Sequence, residues 1–556
     1  MRASLPLTLA LTLTLELFAG AVAADATPPL YVPPSQPRLL VVISVDQLSA
    51  DLFDAYRPQF TAGLQRLSSG ALFRNGYQGH ATTETCPGHA TILTGDHPAR
   101  NGIIANAWID QSIGRPDKTI YCAEDEQVAG STSSRPAVSA RHLLVPTLGE
   151  LMKQRWPASR TVAVAGKDRS AVMLSGQRPD QRWYWTGNSF HTDLVGAPLA
   201  AVVAKVNAAA AAGVARARGP LDPTPFCAAK AVPVAVAGGK SVGAGRLARA
   251  AGDRAGFEAS PELDGDTLAL AAGLVDELQL GRRGAPDVLA IGLSATDHVG
   301  HAYGTEGEEM CLQLTELDRE IGDFLRVLDS RSVDYAVVLT ADHGGQDLPE
   351  RRRLSGVPGA TRVNPALDAR AIGAPLARQL GVAPPGVLGG RSGDIYLDAR
   401  LAPATRQRLL GLALQAYRAN PQVEAAFSAA ELAGTPLAAT TPDRWTMVER
   451  ARAGYFPGRS GDLVVLLKKD VTDIADPAKG SVATHGSPWD YDRRVPILFW
   501  RPWFNARTID RPVDTVDIMP TLAAMIGLPI AQGSIDGRCL AEVQSGCASG
   551  GSSPAR

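Results

Sequence analysis

The chain has 556 residues, 45% of them hydrophobic and 20% charged, which is the composition of an ordinary soluble globular protein. Lysine and arginine number 55 against 56 aspartates and glutamates. This balance excludes the basic excess typical of nucleic-acid-binding proteins and gives no acidic solvating tail. The length suits either several domains or one large α/β domain with insertions.

The N-terminal residues 1–24 predict an export signal. Arg2 gives a positive start, residues 5–18 form a leucine-rich run too short to span a bilayer comfortably, and residues 21–23 are small enough for cleavage after Ala23 or Ala24. We therefore expect a periplasmic or secreted protein with no stable membrane anchor after cleavage. An uncleaved anchor is the alternative.

Five short apolar runs, each followed by a polar residue or a turn, predict buried strands. They lie at 39–45, 161–165, 288–293, 335–339 and 495–500. Because continuous apolar runs suit strands covered on both faces, the predicted fold class is α/β, with a central, mostly parallel sheet and helices on both faces. Helical periodicity separates the strands, most clearly at 308–329 and 515–526.

The domain prediction is one catalytic domain over residues 37–537 with insertions. The inserted segments are expected around 197–251, which is rich in Ala and Gly, and around 351–480, which begins rich in Gly, Pro and Arg. A Ser/Gly-rich tail at 548–556 is predicted to be disordered.

The cysteines suit disulfides in an oxidising compartment. They are Cys86, Cys122, Cys227, Cys311, Cys539 and Cys547. Cys539 and Cys547 are close enough in sequence to bridge one C-terminal loop, but the sequence alone leaves the pairing open.

Four separated segments place acidic or imidazole side chains at or near the ends of the apolar runs. The candidate metal ligands are Asp46, Asp297, His301, Asp342, His343 and His485. Open α/β sheets bind ligands at the carboxyl ends of their strands, so these segments can converge. Three carboxylates and three histidines suit two metal ions, each short of a full shell, as catalytic zinc requires. Taken singly, each segment is more simply explained as a helix cap or an unremarkable histidine.

Thr85 is the candidate nucleophile. It precedes a Pro-Gly turn that opens an apparent helix at 88–93. A helix N-terminus attracts anions through its unpaired N–H groups and its dipole, and a metal-bound hydroxyl there can be held as an alkoxide. A plain helix cap is the alternative interpretation.

Together these segments resemble the alkaline phosphatase superfamily, most closely the bacterial branch with a threonine nucleophile, similar to the phosphate-irrepressible enzymes. The resemblance runs from about residue 37 to about residue 537. The matching segments are 45–46, 85–89, 102–106, 166–169, 297 with 301, 342–344, 484–486 and 516–522.

The resemblance implies a role for each candidate residue and two Zn²⁺ ions. One zinc would be bound by Asp297, His301 and His485, and the other by Asp46, Asp342, His343 and Thr85. Asn106, Lys167 and Arg169 would contact the transferred phosphoryl group. The same family pattern gives His89 and His298 no ligand role, and both are interpreted as local structure.

The function that the resemblance implies is hydrolysis of small-molecule phosphate monoesters through a phosphothreonine intermediate. Lys167 and Arg169 favour monoesters, because a monoester carries more charge on its non-bridging oxygens than a diester does. A nucleotide phosphodiesterase or pyrophosphatase of the same superfamily is the main alternative. A non-enzymatic metal- or phosphate-binding protein is another alternative. A sulfatase is disfavoured, because residues 86–89 lack the arginine that the sulfatase signature contains.

Overall fold

The computed structural model describes residues 36–196, 200–383, 386–389, 393–545 and 547. The predicted export signal and the predicted disordered tail lie outside these residues, as does the start of the first predicted insertion. The described residues from Pro37 onward group into one unit. No helix in the described part of the chain is long and apolar enough to cross a membrane.

The strands are short, and the central ones of the main sheet are almost wholly buried. They are β1 Leu39–Val45, β2 Ala71–Tyr77, β3 Ala107–Ile109, β4 Thr119–Tyr121, β5 Thr161–Ala165, β6 Gln181–Trp185, β7 Phe190–His191, β8 Val234–Ala235, β9 Ser241–Val242, β10 Asp287–Leu293, β11 Tyr335–Thr340, β12 Thr361–Arg362, β13 Val387–Gly389, β14 Asp394–Leu397, β15 Val423–Ser428, β16 Leu463–Leu467, β17 Val471–Thr472, β18 Arg494–Trp500, β19 Arg507–Ile509 and β20 Val513–Asp514.

The α-helices range from single turns to one long helix. They are α1 Ala50–Tyr56, α2 Gly63–Leu67, α3 Thr85–Thr94, α4 Pro98–Asn101, α5 Leu148–Arg155, α6 Asp168–Ser175, α7 Ala201–Ala215, α8 Pro225–Ala228, α9 Arg254–Glu258, α10 Pro261–Glu277, α11 Ala295–Tyr303, α12 Glu308–Ser330, α13 Pro349–Leu354, α14 Ala369–Gln379, α15 Pro403–Arg418, α16 Ala429–Gly434, α17 Met447–Gly454, α18 Asp490–Arg493 and α19 Ile518–Met525.

A ten-stranded sheet forms the centre of the fold, in the order β19-β2-β18-β11-β1-β10-β5-β6-β7, with β20 also pairing with β2. Strands β11, β1, β10, β5 and β6 are parallel neighbours. Val45 lies beside Leu293, and Ser44 lies beside Thr340. The three central strands therefore end at the same edge, where their following loops meet.

The predicted mostly parallel sheet is confirmed, with two antiparallel exceptions, the edge strand β7, which pairs with β6, and the interior strand β18. Strand β18 is antiparallel to both of its neighbours, β11 and β2. The chain enters β18 from α18, which follows the His485 segment at the carboxyl edge of the sheet. Because it starts at that edge, the strand has to run back across the sheet.

Helices cover both faces of the sheet, as predicted. Leu39, Val41 and Ile43 belong to one buried apolar cluster, with residues of α1, α2, α10 and α12. The intervening Leu40 and Val42 belong to a second cluster on the opposite face, with residues of α3, α5, α6 and α19. The alternation along β1 is the period of two that a strand imposes on its side chains.

A smaller four-stranded sheet, β13-β14-β16-β15, lies within the second predicted insertion and has its own apolar cluster with residues of α14 and α15. The residue limits of the catalytic domain and of the insertions stay predictions. Three disulfides occur, Cys86–Cys122, Cys227–Cys311 and Cys539–Cys547. The last is the loop bridge that the sequence suggested.

Candidate metal centre and phosphoryl-binding site

The carboxyl edge of the central strands delivers the acidic side chains. Asp46 directly follows β1, and its N–H donates to the carbonyl of Leu293 on β10 at 2.9 Å. Asp342 lies two residues after β11. Asp297 lies in the first turn of α11, which begins just after β10, so His301 falls one turn later on the same face of that helix.

The first centre consists of Asp297, His301 and His485. Oδ1 of Asp297 is 3.3 Å from Nε2 of His301 and 3.3 Å from Nε2 of His485. The other ring nitrogen of each histidine faces a backbone carbonyl, that of Ala483 at 2.9 Å and that of Thr83 at 2.8 Å. Each Nδ1 therefore carries the proton, which leaves the Nε2 lone pairs for an ion.

The second centre is built around Asp46 and Asp342. Nε2 of His343 is 3.2 Å from Oδ2 of Asp342, and Nδ1 of His343 is 2.8 Å from the carbonyl of Gly344. Oδ1 of Asp342 accepts hydrogen bonds from the backbone N–H groups of Gln47 and His343. These bonds leave Oδ2 as the oxygen that faces the centre.

His89 joins this second centre, although the sequence analysis gave it no role there. Its Nε2 is 3.2 Å from Oδ1 of Asp46, and its Nδ1 is 3.3 Å from Oδ2 of Asp342. Donor atoms of these three residues all lie within 4.8 Å of one another. The available signal was its position four residues after Thr85, which puts both residues on one face of α3.

Thr85 is the first residue of α3, and its side-chain oxygen is buried without a hydrogen-bond partner. The first turn of α3 packs directly on Asp342, because a Cβ placed on Gly88 would lie 1.9 Å from the Asp342 carbonyl oxygen. Only glycine allows this approach. The nucleophile candidate is thereby held beside the second centre.

The buried donors fit metal ions. Buried side-chain atoms that have no hydrogen-bond partner include Oδ1 of Asp297, Oδ2 of Asp342, Nε2 of His343 and Oγ1 of Thr85. Both oxygens of Asp46 also lack a hydrogen bond, although Lys167 lies 2.9 Å from one and His89 3.2 Å from the other. Leaving such groups unpaired is costly, so their concentration in one place calls for a ligand. Zinc with ligands about 2.0–2.1 Å away in a tetrahedron spaces them about 3.3 Å apart, and the oxygen–nitrogen distances above are 3.2 and 3.3 Å.

Local electrostatics favour the ligand forms of His301, His343 and Asp297, but the protonated form of His485. Burial lowers the pKa of His301 and of His343, which keeps both rings neutral, as metal ligands must be. Burial alone would raise the pKa of Asp297, but the neighbouring His301 and Lys167 outweigh it and hold that pKa well below its ordinary value. Burial is likewise outweighed at His485, where Asp297 raises the pKa to about 9. A bound cation would take the place of that proton.

Lys167 lies between the two centres. Its Nζ is 2.9 Å from Oδ2 of Asp46 and 2.5 Å from Oδ2 of Asp297. The residue immediately precedes α6, whose first turn also carries Arg169. The Tyr121 hydroxyl donates to Asp168 at 2.6 Å. Burial alone would lower the pKa of the Arg169 guanidinium, but Tyr121 and Asp168 outweigh it and raise that pKa above its ordinary value.

Asn106 is tied to the start of α3 on both sides. Its Oδ1 accepts a hydrogen bond from the N–H of Cys86 at 2.9 Å, and its own N–H donates to Oε2 of Glu84 at 2.6 Å. The amide NH₂ group is left to donate to something else. Glu84 is a site residue that the sequence analysis did not find, because its role as an orienting acceptor depends on a residue 22 positions away.

An open cavity of about 470 Å³ leads to the site. The predicted residues Asn106, Arg169, His301 and His485 line it, together with Glu84, Asp473, Ile474, Asp476, Lys479, Gly480, Ser481 and Thr484. The predicted site residues are thus brought together at one edge of the sheet. The segment 473–481 was missed, because nothing in its composition distinguishes it from other loops.

Known proteins match almost the whole of this chain. Residues 40–488 match the family model described as type I phosphodiesterase / nucleotide pyrophosphatase. Alkaline phosphatase PhoK of a Sphingomonas species is 51% identical over 508 residues, which cover 91% of each chain. The chain belongs to the alkaline phosphatase superfamily.

Other members of the superfamily agree with this placement. Alkaline phosphatase PhoD of Zymomonas mobilis is 45% identical over 527 residues, covering 94% of this chain and 90% of that protein. The crystal structure of alkaline phosphatase PafA superposes with a TM-score of 0.79 at 23% identity, covering 92% of this chain and 99% of the other, which shows the shared fold. The chain is an enzyme of this class, with candidate metal-binding groups at the expected edge of its sheet.

Proposed function

We propose that this chain is an exported alkaline phosphatase that uses two zinc ions and hydrolyses phosphate monoesters through a phosphothreonine at Thr85. The observation that carries the proposal is the group of buried, unpaired donor atoms that surrounds the start of α3. A protein that only stored metal would have no need of a buried hydroxyl there. The spacing of the donors, not the superfamily name alone, supports zinc.

The candidate ligands fall into two sets. Asp297, His301 and His485 would hold one ion, and Asp46, Asp342, His343 and the Thr85 hydroxyl would hold the other. When bound, two zinc ions neutralise charge on the attacking and leaving oxygens and favour the deprotonated form of an oxygen bound to them. The remaining chemistry is positioning by side chains of the chain itself.

In this proposal Thr85 Oγ attacks phosphorus. In the first step the Oγ–P bond forms and the bond from phosphorus to the leaving oxygen breaks, so the phosphoryl group moves to Thr85 and the alcohol departs. In the second step water breaks the Oγ–P bond, which releases phosphate and restores the threonine. Thr85 is the first residue of α3, so the positive end of that helix dipole lies beside it, which favours an anion there.

Three side chains are suited to the phosphoryl oxygens. Lys167 and Arg169 supply two positive charges, and the NH₂ group of Asn106 supplies a neutral donor whose other end is fixed by Cys86. A monoester dianion matches two cations, whereas a diester brings a neutral substituent against them, which costs desolvation without the charge gained in return. This charge matching favours monoesters.

Within the described residues, the lining of the cavity offers no Phe, Tyr or Trp ring on which a nucleobase could stack. Among its lining residues, all within the described part of the chain, the aromatic rings are only those of His301 and His485, which belong to the first centre. Stacking on an aromatic side chain contributes about 1–3 kcal/mol per nucleobase where it occurs. Nucleotide phosphodiester or pyrophosphate hydrolysis stays the second candidate, because the matching family model carries that description.

A rate comparison on purified, zinc-loaded protein tests the proposal. We expect aryl phosphate to be hydrolysed with a much larger kcat/KM than the corresponding bis-aryl phosphate. Thr85→Ala is expected to keep both metal ions and lose the activity, while Thr85→Ser, which keeps a hydroxyl, retains part of it. A preference for the diester would replace the monoester assignment, and full activity of Thr85→Ala would remove Thr85 as nucleophile.

Export is proposed from the sequence of the first 24 residues and from the three disulfides, which suit an oxidising compartment. N-terminal sequencing of protein recovered from the periplasm or medium tests it. A mature chain that begins at Ala24 or Asp25 is the expected result, and an intact leader on cytoplasmic protein would contradict it.

A further inference from the structure

The imidazole of His89 occupies a fully buried position below the second centre and is not used by the proposed reaction. The residue is on α3, four residues after Thr85, and its side chain has no exposed surface. Its Nδ1 is 2.9 Å from the carbonyl oxygen of Thr85. Since a carbonyl can only accept, Nδ1 carries a proton and donates it to the backbone of the nucleophile.

The same ring faces both carboxylates of the second centre. Nε2 is 3.2 Å from Oδ1 of Asp46, and Nδ1 is 3.3 Å from Oδ2 of Asp342. The other oxygen of Asp46 is directed to Lys167 at 2.9 Å. The two edges of the Asp46 carboxylate therefore have different surroundings, with His89 on one side and the space between the two centres on the other.

We infer that His89 is a positioning residue that ties Asp46 and Asp342 to the backbone of Thr85. The inference rests on the proposed two-zinc centre. Asp46, Asp342, His343 and the Thr85 hydroxyl would supply the four ligands of a tetrahedral zinc. Both ring nitrogens of His89 face these ligand residues, Nε2 the Oδ1 of Asp46 and Nδ1 the carbonyl of Thr85 and Oδ2 of Asp342, so the ring would act on the ligands and not on the ion. One rigid ring sets the distance between two carboxylates that belong to different strands.

Replacing His89 by glutamine or by asparagine separates its contact with Asp46 from its contact with the Thr85 carbonyl. The amide nitrogen of His89→Gln reaches the position of Nε2 and keeps the contact with Asp46, whereas that of His89→Asn reaches the position of Nδ1 and keeps only the bond to Thr85. If the ring positions Asp46, glutamine should rescue zinc binding better than asparagine. A purely space-filling role would not distinguish the two amides in this order.

His97 provides a matched control. It is also a buried histidine between two carboxylates, with Nε2 3.0 Å from Asp514 and Nδ1 3.1 Å from Asp536, but none of these residues belongs to either centre. His97→Gln therefore reports the general cost of replacing a buried, doubly paired histidine. Thermal unfolding of all three variants shows whether each is folded.

The test is zinc titration of the metal-stripped full chain, followed by competition with a chelator. Wild type should bind two ions per chain. His89→Asn should bind one of them roughly 10–100-fold more weakly, the size typical for loss of a group that orients a ligand, with the other unchanged. His89→Gln should lose less, and His97→Gln should keep both affinities even where its Tm falls.

The outcomes separate the inference from the proposed function. If wild type does not bind two zinc ions, the proposed centre is wrong. If wild type binds two and His89→Asn binds both with unchanged affinity, the positioning role alone is wrong. Complete loss of one ion in both His89 variants, with an altered visible spectrum of the cobalt-loaded protein, would make His89 a ligand and also overturn the inference.

Discussion

The contacts of Lys167 indicate where the substrate would bind. Its ammonium group bridges Asp46 and Asp297, one carboxylate from each centre, and is almost wholly buried. An ammonium group between the two candidate metal centres would contact any group bound between them. In this site that group would be the phosphoryl group of the substrate.

Replacing Lys167 tests this placement. Lys167→Gln should lower kcat/KM for an aryl phosphate by about 100-fold to 1,000-fold, as loss of one preorganised charge-stabilising donor does, and should lower the diester rate less. Steady-state kinetics on both esters at saturating zinc measure the two ratios. Equal losses on both esters would mean that Lys167 does not recognise the monoester charge.

At the residue scale the sequence pointed to candidate ligands more readily than to the groups that orient them. Asp46, Asp297 and His301 were predictable, because each lies at a strand end or at helical spacing from another candidate. The backbone carbonyls of Thr83 and Ala483, which fix two histidine rings, were not. Such contacts join segments far apart in the chain and leave no local pattern.

The disulfide Cys86–Cys122 links the start of α3, which carries Thr85, to the hairpin that follows Asn106. Cys86 is the second residue of α3, and Cys122 directly follows β4, which forms a hairpin with β3 just after Asn106. The bond closes a separation of 36 residues, whereas Cys539–Cys547 closes one of 8. The longer closure restrains the unfolded chain more.

Removal of the Cys86–Cys122 pair should affect both stability and catalysis. The double variant with Cys86→Ala and Cys122→Ala should lose about 2–4 kcal/mol of unfolding free energy and show a lower kcat at temperatures where it is folded. The matched control, Cys539→Ala with Cys547→Ala, should lose less stability and keep its kcat. Denaturant unfolding and initial rates measure these effects, and an unchanged kcat in the first variant would contradict the link to Asn106.

His97 stabilises a junction between the start of α4 and the C-terminal segments around Asp514 and Asp536. Burial disfavours its charged form, but the two carboxylates outweigh burial and raise the pKa of His97 to about 10. The ordinary value is about 6.5, so the folded protein binds this proton more tightly than the unfolded chain does. The stabilisation is complete below pH of about 6.5 and is lost as the pH rises through about 10.

The His97 prediction concerns a difference between two pH values. His97→Gln should lower Tm relative to wild type by more at pH of about 6 than at pH of about 10.5. Calorimetry of both proteins in the same buffers measures the difference, and the shared effect of pH on the rest of the chain cancels. An equal deficit in Tm at both pH values would show that the charge of His97 does not stabilise the fold.

At the scale of elements, apolar runs located the central strands to within one residue of their observed ends. The apolar pattern did not show in which direction each strand runs. Strand β18 is as apolar as its neighbours but is antiparallel to them. The second sheet was also missed. Its strands contain short runs such as those of β14 and β15, and their pairing depends on contacts between residues tens of positions apart.

In the molecule as a whole, the polar site lies at the end of a buried apolar sheet. The strands that carry Asp46 and Asp342 are buried on both faces, so their ends have little freedom to move. The candidate ligands at these ends are therefore already in place, so little binding energy would be spent on ordering them. In our account, this edge of the sheet is the source of both metal binding and phosphoryl transfer.

The covalent intermediate tests that account most directly. Zinc-loaded wild-type protein is mixed with an aryl phosphate, quenched in acid within the first turnover, digested and sequenced by mass spectrometry. We predict one phosphoryl group on Thr85, and none in Thr85→Ala treated in the same way. A phosphoryl group on another residue, or rapid hydrolysis by Thr85→Ala with no trapped intermediate, would contradict the account.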